Sequence, residues 1–170
     1  MSAVLRRLAA ALRRRPVAGR GPDAALAAGL AARMAEAGDP ALGPGLAVLH
    51  VDCGSCNGCE LELRLAFAEA AFALADGPRQ ADVLLVSGPV TRNMQPALGR
   101  AWDAAAEPRY VVALGDCAVD GGVFKGSYAV AGGAGSTLPV DLAIRGCPPA
   151  PGQILEGLRT LAAATGRRAR

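Results

Sequence analysis

The chain has 170 residues, 52% of them hydrophobic but only 4% aromatic. That is long enough for one domain with a core of Leu, Val and Ala, and it makes disulfide staples unnecessary. The formal charge of +3 is unevenly spread: seven Arg against Asp23, Glu36 and Asp39 give residues 1–40 a charge of +4, eight basic against twelve acidic residues give residues 41–166 a charge of −4, and the last four residues add +3. A mildly acidic, aromatic-poor body excludes a nucleic-acid binder, which carries its basic patch on the folded part. The absence of any run near ~18 apolar residues excludes a membrane span.

Residues 1–44 read as a basic N-terminal extension, an amphipathic helix followed by a linker. Val4, Leu5, Leu8 and Leu12 recur at helical spacing beside Arg6, Arg7, Arg13 and Arg14. Such a helix suits an anionic membrane surface or the flank of a partner subunit. Two other readings stay open there. Arg6-Arg7 ahead of the Ala/Leu stretch near 24–32 has the outline of an export leader, but the stretch is short, mostly Ala and preceded by Asp23. A solvated terminus is the third reading.

Residues 45–170 read as one α/β domain. Leu46 to Val51 is expected to be a buried strand, Cys59 to Leu74 a helix, and Asp82 to Ser87 a second strand closed by Gly88-Pro89. Gln95 to Ala106 reads as a helix, with Leu98 and Trp102 one turn apart, and Tyr110 to Leu114 as a third strand. Gly121 to Gly135 is Gly-rich and loop-like. Val140 to Ile144 is a short fourth strand, and Pro151 to Ala164 a last helix with Ile154, Leu155, Leu158 and Leu161 on one face. Short apolar strands alternating with helices predict a parallel sheet covered on both faces.

The five cysteines follow the strands. Cys53-Gly-Ser-Cys56-Asn-Gly-Cys59 comes after the first, Cys117 after the third and Cys147 after the fourth. In an open α/β sheet, functional loops gather outside the carboxyl ends of the strands, so all five are expected along one edge. Glycines 54, 58, 115 and 146 share these loops and let backbone amides approach sulfur. Thiolates gathered in this way point to a soft metal centre. A 4Fe–4S cluster needs four thiolates, which this edge can supply. A zinc site would more often pair two Cys-x-x-Cys knuckles, and the single His50 lies inside a strand, where it reads as a packed residue. A thioredoxin-like dithiol would use Cys56 and Cys59 and leave Cys117 and Cys147 without a role.

Four motifs stand in order: Cys56-Asn-Gly-Cys59-Glu-Leu-Glu62, Val86-Ser-Gly-Pro-Val-Thr91, Glu107-Pro-Arg-Tyr-Val-Val-Ala-Leu-Gly-Asp-Cys117-Ala, and Leu138-Pro-Val-Asp-Leu-Ala-Ile-Arg-Gly-Cys147-Pro-Pro. Together, over residues 45–165, they resemble the small electron-transfer subunit shared by respiratory complex I and the energy-converting, membrane-bound nickel–iron hydrogenases. The resemblance implies a flavodoxin-like fold carrying one 4Fe–4S cluster held by Cys56, Cys59, Cys117 and Cys147. Cys53 has no counterpart and is read as a spare thiol.

The resemblance also implies a relay of electrons to or from a catalytic large subunit of nickel–iron or quinone-site type. A ferredoxin-like iron–sulfur subunit and membrane subunits would complete the complex, with this chain peripheral on the cytoplasmic side of the cell membrane. The protein would be an oxidoreductase subunit with no catalytic residues of its own. The complex I branch has two adjacent cysteines at the first site, so the Cys-x-x-Cys here resembles the hydrogenase and formate-hydrogenlyase branch. The short C-terminal part resembles the form with one cluster. A quinone-reducing subunit and a zinc-stabilised assembly module are the alternatives. Glu62 is a candidate for a proton path and Glu60 for a first-turn helix residue. Arg92 and Arg145 lie near the cluster loops in sequence.

Overall fold

A computed structural model describes residues 46–69 and 72–165. The basic N-terminal extension expected over residues 1–44 lies outside them. Five strands form one parallel sheet: β1 (Ala47–Asp52), β2 (Ala73–Leu74), β3 (Val83–Ser87), β5 (Tyr110–Leu114) and β7 (Leu142–Ile144). Their spatial order is β2-β1-β3-β5-β7, with every neighbouring pair parallel. Counting only these strands, this is the 2-1-3-4-5 order of flavodoxin-like folds, with its switch point between β1 and β3.

Both faces of the sheet are covered, as continuous apolar strands require. Val83, Leu85, Val112 and Leu114 point to one side. There they pack against Leu63 and Ala66 of α1 (Gly58–Glu69) and Ile154, Leu155, Leu158 and Leu161 of α4 (Pro151–Ala164). Leu84, Val86, Val111 and Ala113 point to the other. They meet Leu98 of α2 (Gln95–Ala104), Ala118 of α3 (Gly115–Asp120), Ala134 and Leu138. The two-residue period of the strands thus divides one sheet into two dry interfaces, each built from small aliphatic side chains.

Several expectations are corrected. The helix from Cys59 does not reach Leu74: α1 ends at Glu69, and Ala73–Leu74 form an edge strand in register with Ala47 and Val48. The Ala-rich stretch holds no Gly or Pro stop signal, but the open edge of β1 offers it backbone partners, and the Ala75 N–H donates to Val48 O at 3.0 Å. Gly121 to Gly135 is not one loop. Within it β6 (Val130–Gly132) pairs antiparallel with β4 (Val90–Thr91), and 3-10 turns cover Gly122–Phe124 and Ala134–Ser136. Finally, Cys117 sits on the six-residue helix α3 rather than in a loop. The expected helix to Ala106 stops at Ala104, where the Arg109 guanidinium donates to Trp102 O and Ala105 O and stacks 4.0 Å above the Trp102 ring.

Candidate metal centre

The site lies beyond the carboxyl ends of β1, β3, β5 and β7, as this sheet order demands. After β1 the chain reverses in a turn held by Asp52, whose Oδ1 accepts the Gly54 and Ser55 N–H groups, both at 2.8 Å. The Cys53 N–H donates to Ser87 O, and the Cys53 carbonyl accepts from Thr91 N–H, each at 3.0 Å. These bonds lock the reversal onto the end of β3 and turn Cys53 into the core. The next residues bring Cys56 to the surface and Cys59 to the second position of α1.

Cys56, Cys59, Cys117 and Cys147 line one cavity of about 130 Å³. Gly58, Gly88 and Gly146 share its wall and leave the space open. Two glycines beside the thiols are there because nothing larger fits. At Gly115 (φ +82°) a Cβ would stand 2.6 Å from Cys59 Sγ, and at Gly122 (φ +50°) 2.9 Å from Cys117 Sγ. Cys53 is not in the wall: it is 0% exposed and packs with Leu84, Val86 and Val90 in the opposite interface. All five cysteines are free thiols.

The electrostatics of the thiols separate the same four from the fifth. Burial pushes the Cys59 thiol up to about 12, and the negative charges of Glu60, Cys117, Cys56 and Cys147 add to the rise. Cys117 is raised by burial, then by Cys147 and Cys56, against a hydrogen bond from the Val123 N–H that favours its thiolate. Cys53 is raised to about 11 by burial and by Asp52, with no contribution from another thiol. Cys56, Cys59, Cys117 and Cys147 therefore share one field. Four soft donors sharing a field repel as thiolates, and such a set is relieved by a cationic, thiophilic group among them. Among the described residues, no three Cys, His, Asp or Glu side chains close on a point that would hold a single ion; the thiols surround a space.

The other residues singled out in the sequence fall in different places. Arg145 lines a neighbouring hollow that shares Asp116, Cys117 and Cys147 with the cavity, with Nη1 3.4 Å from Asp120 Oδ2 and 3.7 Å from Asp116 Oδ1. The Arg92 Nε–H donates to Tyr128 O at 2.7 Å and holds the loop before β6. Glu62 is half-buried on α1, away from the cavity wall. Glu60 does occupy the first turn of α1, but it is also 7% exposed and hydrogen bonded to the end of β3. The Ser87 hydroxyl donates to Glu60 Oε1, so the proton between His50 Nε2 and Ser87 Oγ, 2.8 Å apart, belongs to the imidazole. His50 is thus a partly buried donor in a polar trio, and burial lowers its pKa despite Glu60 and Asp52. Ser87 carried no signal of its own. The available clue was a lone Ser closing an apolar strand opposite Asp52.

A parallel sheet here delivers four thiols from three strand ends to one cavity, the donor set of a soft metal centre. Residues 56–161 match the family model described as NADH ubiquinone oxidoreductase, 20 Kd subunit, and the chain belongs to that family. Formate hydrogenlyase subunit 7 of Escherichia coli (strain K12) is 43% identical over 116 residues, which cover 65% of this chain and 46% of that protein. An NADH-quinone oxidoreductase subunit of Phocaeicola vulgatus is 46% identical over 109 residues, 61% of this chain and 55% of that protein. The chain therefore spans about half the length of the curated relatives it matches. Among solved structures, a chain of the membrane-bound sulfane sulfur reductase (MBS), an archaeal respiratory membrane complex, is similar with a TM-score of 0.60 and 27% identity, covering 70% of each chain.

Proposed function

We propose that this chain is the electron-transfer subunit of a membrane-associated oxidoreductase and holds one 4Fe–4S cluster on Cys56, Cys59, Cys117 and Cys147. The observation that carries the reading is the single cavity lined by these four thiols and walled by glycines. When bound, such a cluster supplies one-electron exchange with a catalytic large subunit on one side and a ferredoxin-like iron–sulfur subunit on the other.

The chain's own residues bind and tune. Gly115 and Gly122 leave room for the Cys59 and Cys117 sulfurs. The Val123 N–H stabilises negative charge on Cys117, a contact that raises the reduction potential of a sulfur-ligated centre. The apolar interfaces on both sheet faces keep water from behind the site. Cys56 and Cys147 are exposed, so the rim faces outward, where a partner subunit would cover it. Among the described residues no helix is long and apolar enough to cross a membrane, which suits a peripheral subunit held by membrane subunits on the cytoplasmic side.

Identities of 43% and 46% do not separate the hydrogenase-type from the quinone-reducing relatives. The two-residue gap between Cys56 and Cys59, with both thiols in the cavity wall, supports the hydrogenase or formate-hydrogenlyase type. The large-subunit sequence encoded beside this chain tests that choice: two Cys-x-x-Cys pairs are expected in it, and their absence removes hydrogen chemistry. Metal and sulfide analysis of the anaerobically purified chain, with EPR after reduction, tests the cluster. Zinc without iron or sulfide would make the chain a zinc-stabilised assembly module instead.

A further inference from the structure

We propose that Asp116 is a positioning residue that clasps the Cys117 helix to the Cys147 loop, with Arg145 as the outer half of the clasp. The inference rests on the cluster reading above and names what sets the spacing of its last two ligands. β5 and β7 pair only from Val112 with Leu142 to Leu114 with Ile144. Beyond those residues no ladder joins the two segments, yet both thiols lie beyond them.

Asp116 adds one further rung. Its N–H donates to Gly146 O at 2.9 Å, and its Oδ1 accepts the Gly146 N–H at 3.1 Å. The side chain replaces a backbone carbonyl because α3 has already turned the main chain away. Cys117 and Cys147 are the very next residues on each side of this reciprocal pair, so the rung fixes their separation with no metal required. Arg145 then bridges Asp116 and Asp120, the two acids that flank Cys117 on α3. Asp120 Oδ1 accepts the Gly122 N–H at 3.0 Å, at the turn that sets the Val123 N–H on Cys117. The hydrogen bonds around Cys56 are instead local, from Asp52 and Ser55. Asp116 lines the four-thiol cavity itself, and Arg145 lines the neighbouring hollow that shares Cys117 and Cys147 with it.

The test compares the full-length chain with Asp116→Ala, Asp116→Asn and Arg145→Gln, each reconstituted anaerobically with iron and sulfide. Iron and sulfide per chain, EPR g-values and reduction potential are read for each. Asp116→Ala is expected to lose about half of its iron or more, because the Gly146 N–H loses its acceptor. Asp116→Asn keeps that acceptor and is expected to restore loading and g-values. Its potential should rise, since a negative charge is gone, whereas that of Arg145→Gln should fall. Should Asp116→Ala fail to fold, the other two variants decide alone. Loading of Asp116→Asn well below wild type, or potentials unmoved in both Asp116→Asn and Arg145→Gln, overturns the clasp. Full loading and unchanged g-values in Asp116→Ala overturn it as well. A wild-type chain that takes up no iron or sulfide overturns the cluster reading itself, which is a separate result.

Discussion

At the scale of single residues, Cys53 and Gly115 make opposite claims on the same chemistry. Cys53 is the thiol that the proposed cluster leaves out: it is fully buried in the interface opposite Cys59, and its raised pKa owes nothing to the other cysteines. Between pH 9.0 and about 11, the folded chain holds a proton on Cys53 that the unfolded chain has released. Folding is therefore favoured less as pH rises through that window, because the folded state binds more protons. Cys53→Ala should flatten this alkaline loss in denaturation curves while leaving iron content unchanged. Equal loss of iron in Cys53→Ala and Cys56→Ala would make Cys53 a ligand. Gly115 has no metal donor, yet Gly115→Ala should empty the site, since its methyl group meets Cys59 Sγ in a backbone conformation that already disfavours a side chain. Iron per chain is expected to fall several-fold with the circular dichroism of the fold preserved.

At the scale of elements, the trio of partly buried His50 with buried Ser87 and Glu60 ties the start of α1 to the ends of β1 and β3. Ser87→Ala removes the hydroxyl that Glu60 and His50 share, and leaves the buried Glu60 carboxylate short of its donor. A loss of about 1–3 kcal/mol is expected from such a deletion, read by denaturant titration. The His50 pKa lies below 6.5 in the folded chain, so its contribution is intact above that pH and is lost as pH falls, when the unfolded chain takes the proton first. Elements differ in how plainly the sequence announces them. Val83 to Ser87 is readable because it is a continuous apolar run closed by Gly88-Pro89, and its five residues are all buried. Gln95 to Ala104 and Pro151 to Ala164 carry helical periodicity. The end of α1 is not readable, since alanines suit helix and edge strand alike until β1 offers its edge. Helix α3 is too short for a period, and β4 finds its partner β6 only across the intervening α2, β5 and α3. The cysteines were legible through their order after strands. The link between Asp116 and Gly146 was not, because it joins two loops through a side chain.

At the scale of the whole molecule, the chain presents an unfinished surface beside its thiols. Leu61 and Leu65 are each 54% exposed, one turn apart on α1, and Leu61 lies two residues after Cys59. On the proposed function, an apolar stripe this close to the cluster would be covered by the large subunit. Replacing both leucines with Glu should leave iron content and melting behaviour near wild type but abolish co-purification with the large subunit; retained association would place the contact elsewhere. The chain belongs to the 20 Kd subunit family, and four of its thiols line one cavity. The most direct measurement is iron and acid-labile sulfide per chain in anaerobically prepared protein, with EPR after reduction, for wild type and for each cysteine replaced in turn. About four iron and four sulfide per chain are expected, with the signal lost on replacing Cys56, Cys59, Cys117 or Cys147 and kept on replacing Cys53. Zinc in place of iron, or a signal that survives the loss of any of those four, would contradict the account.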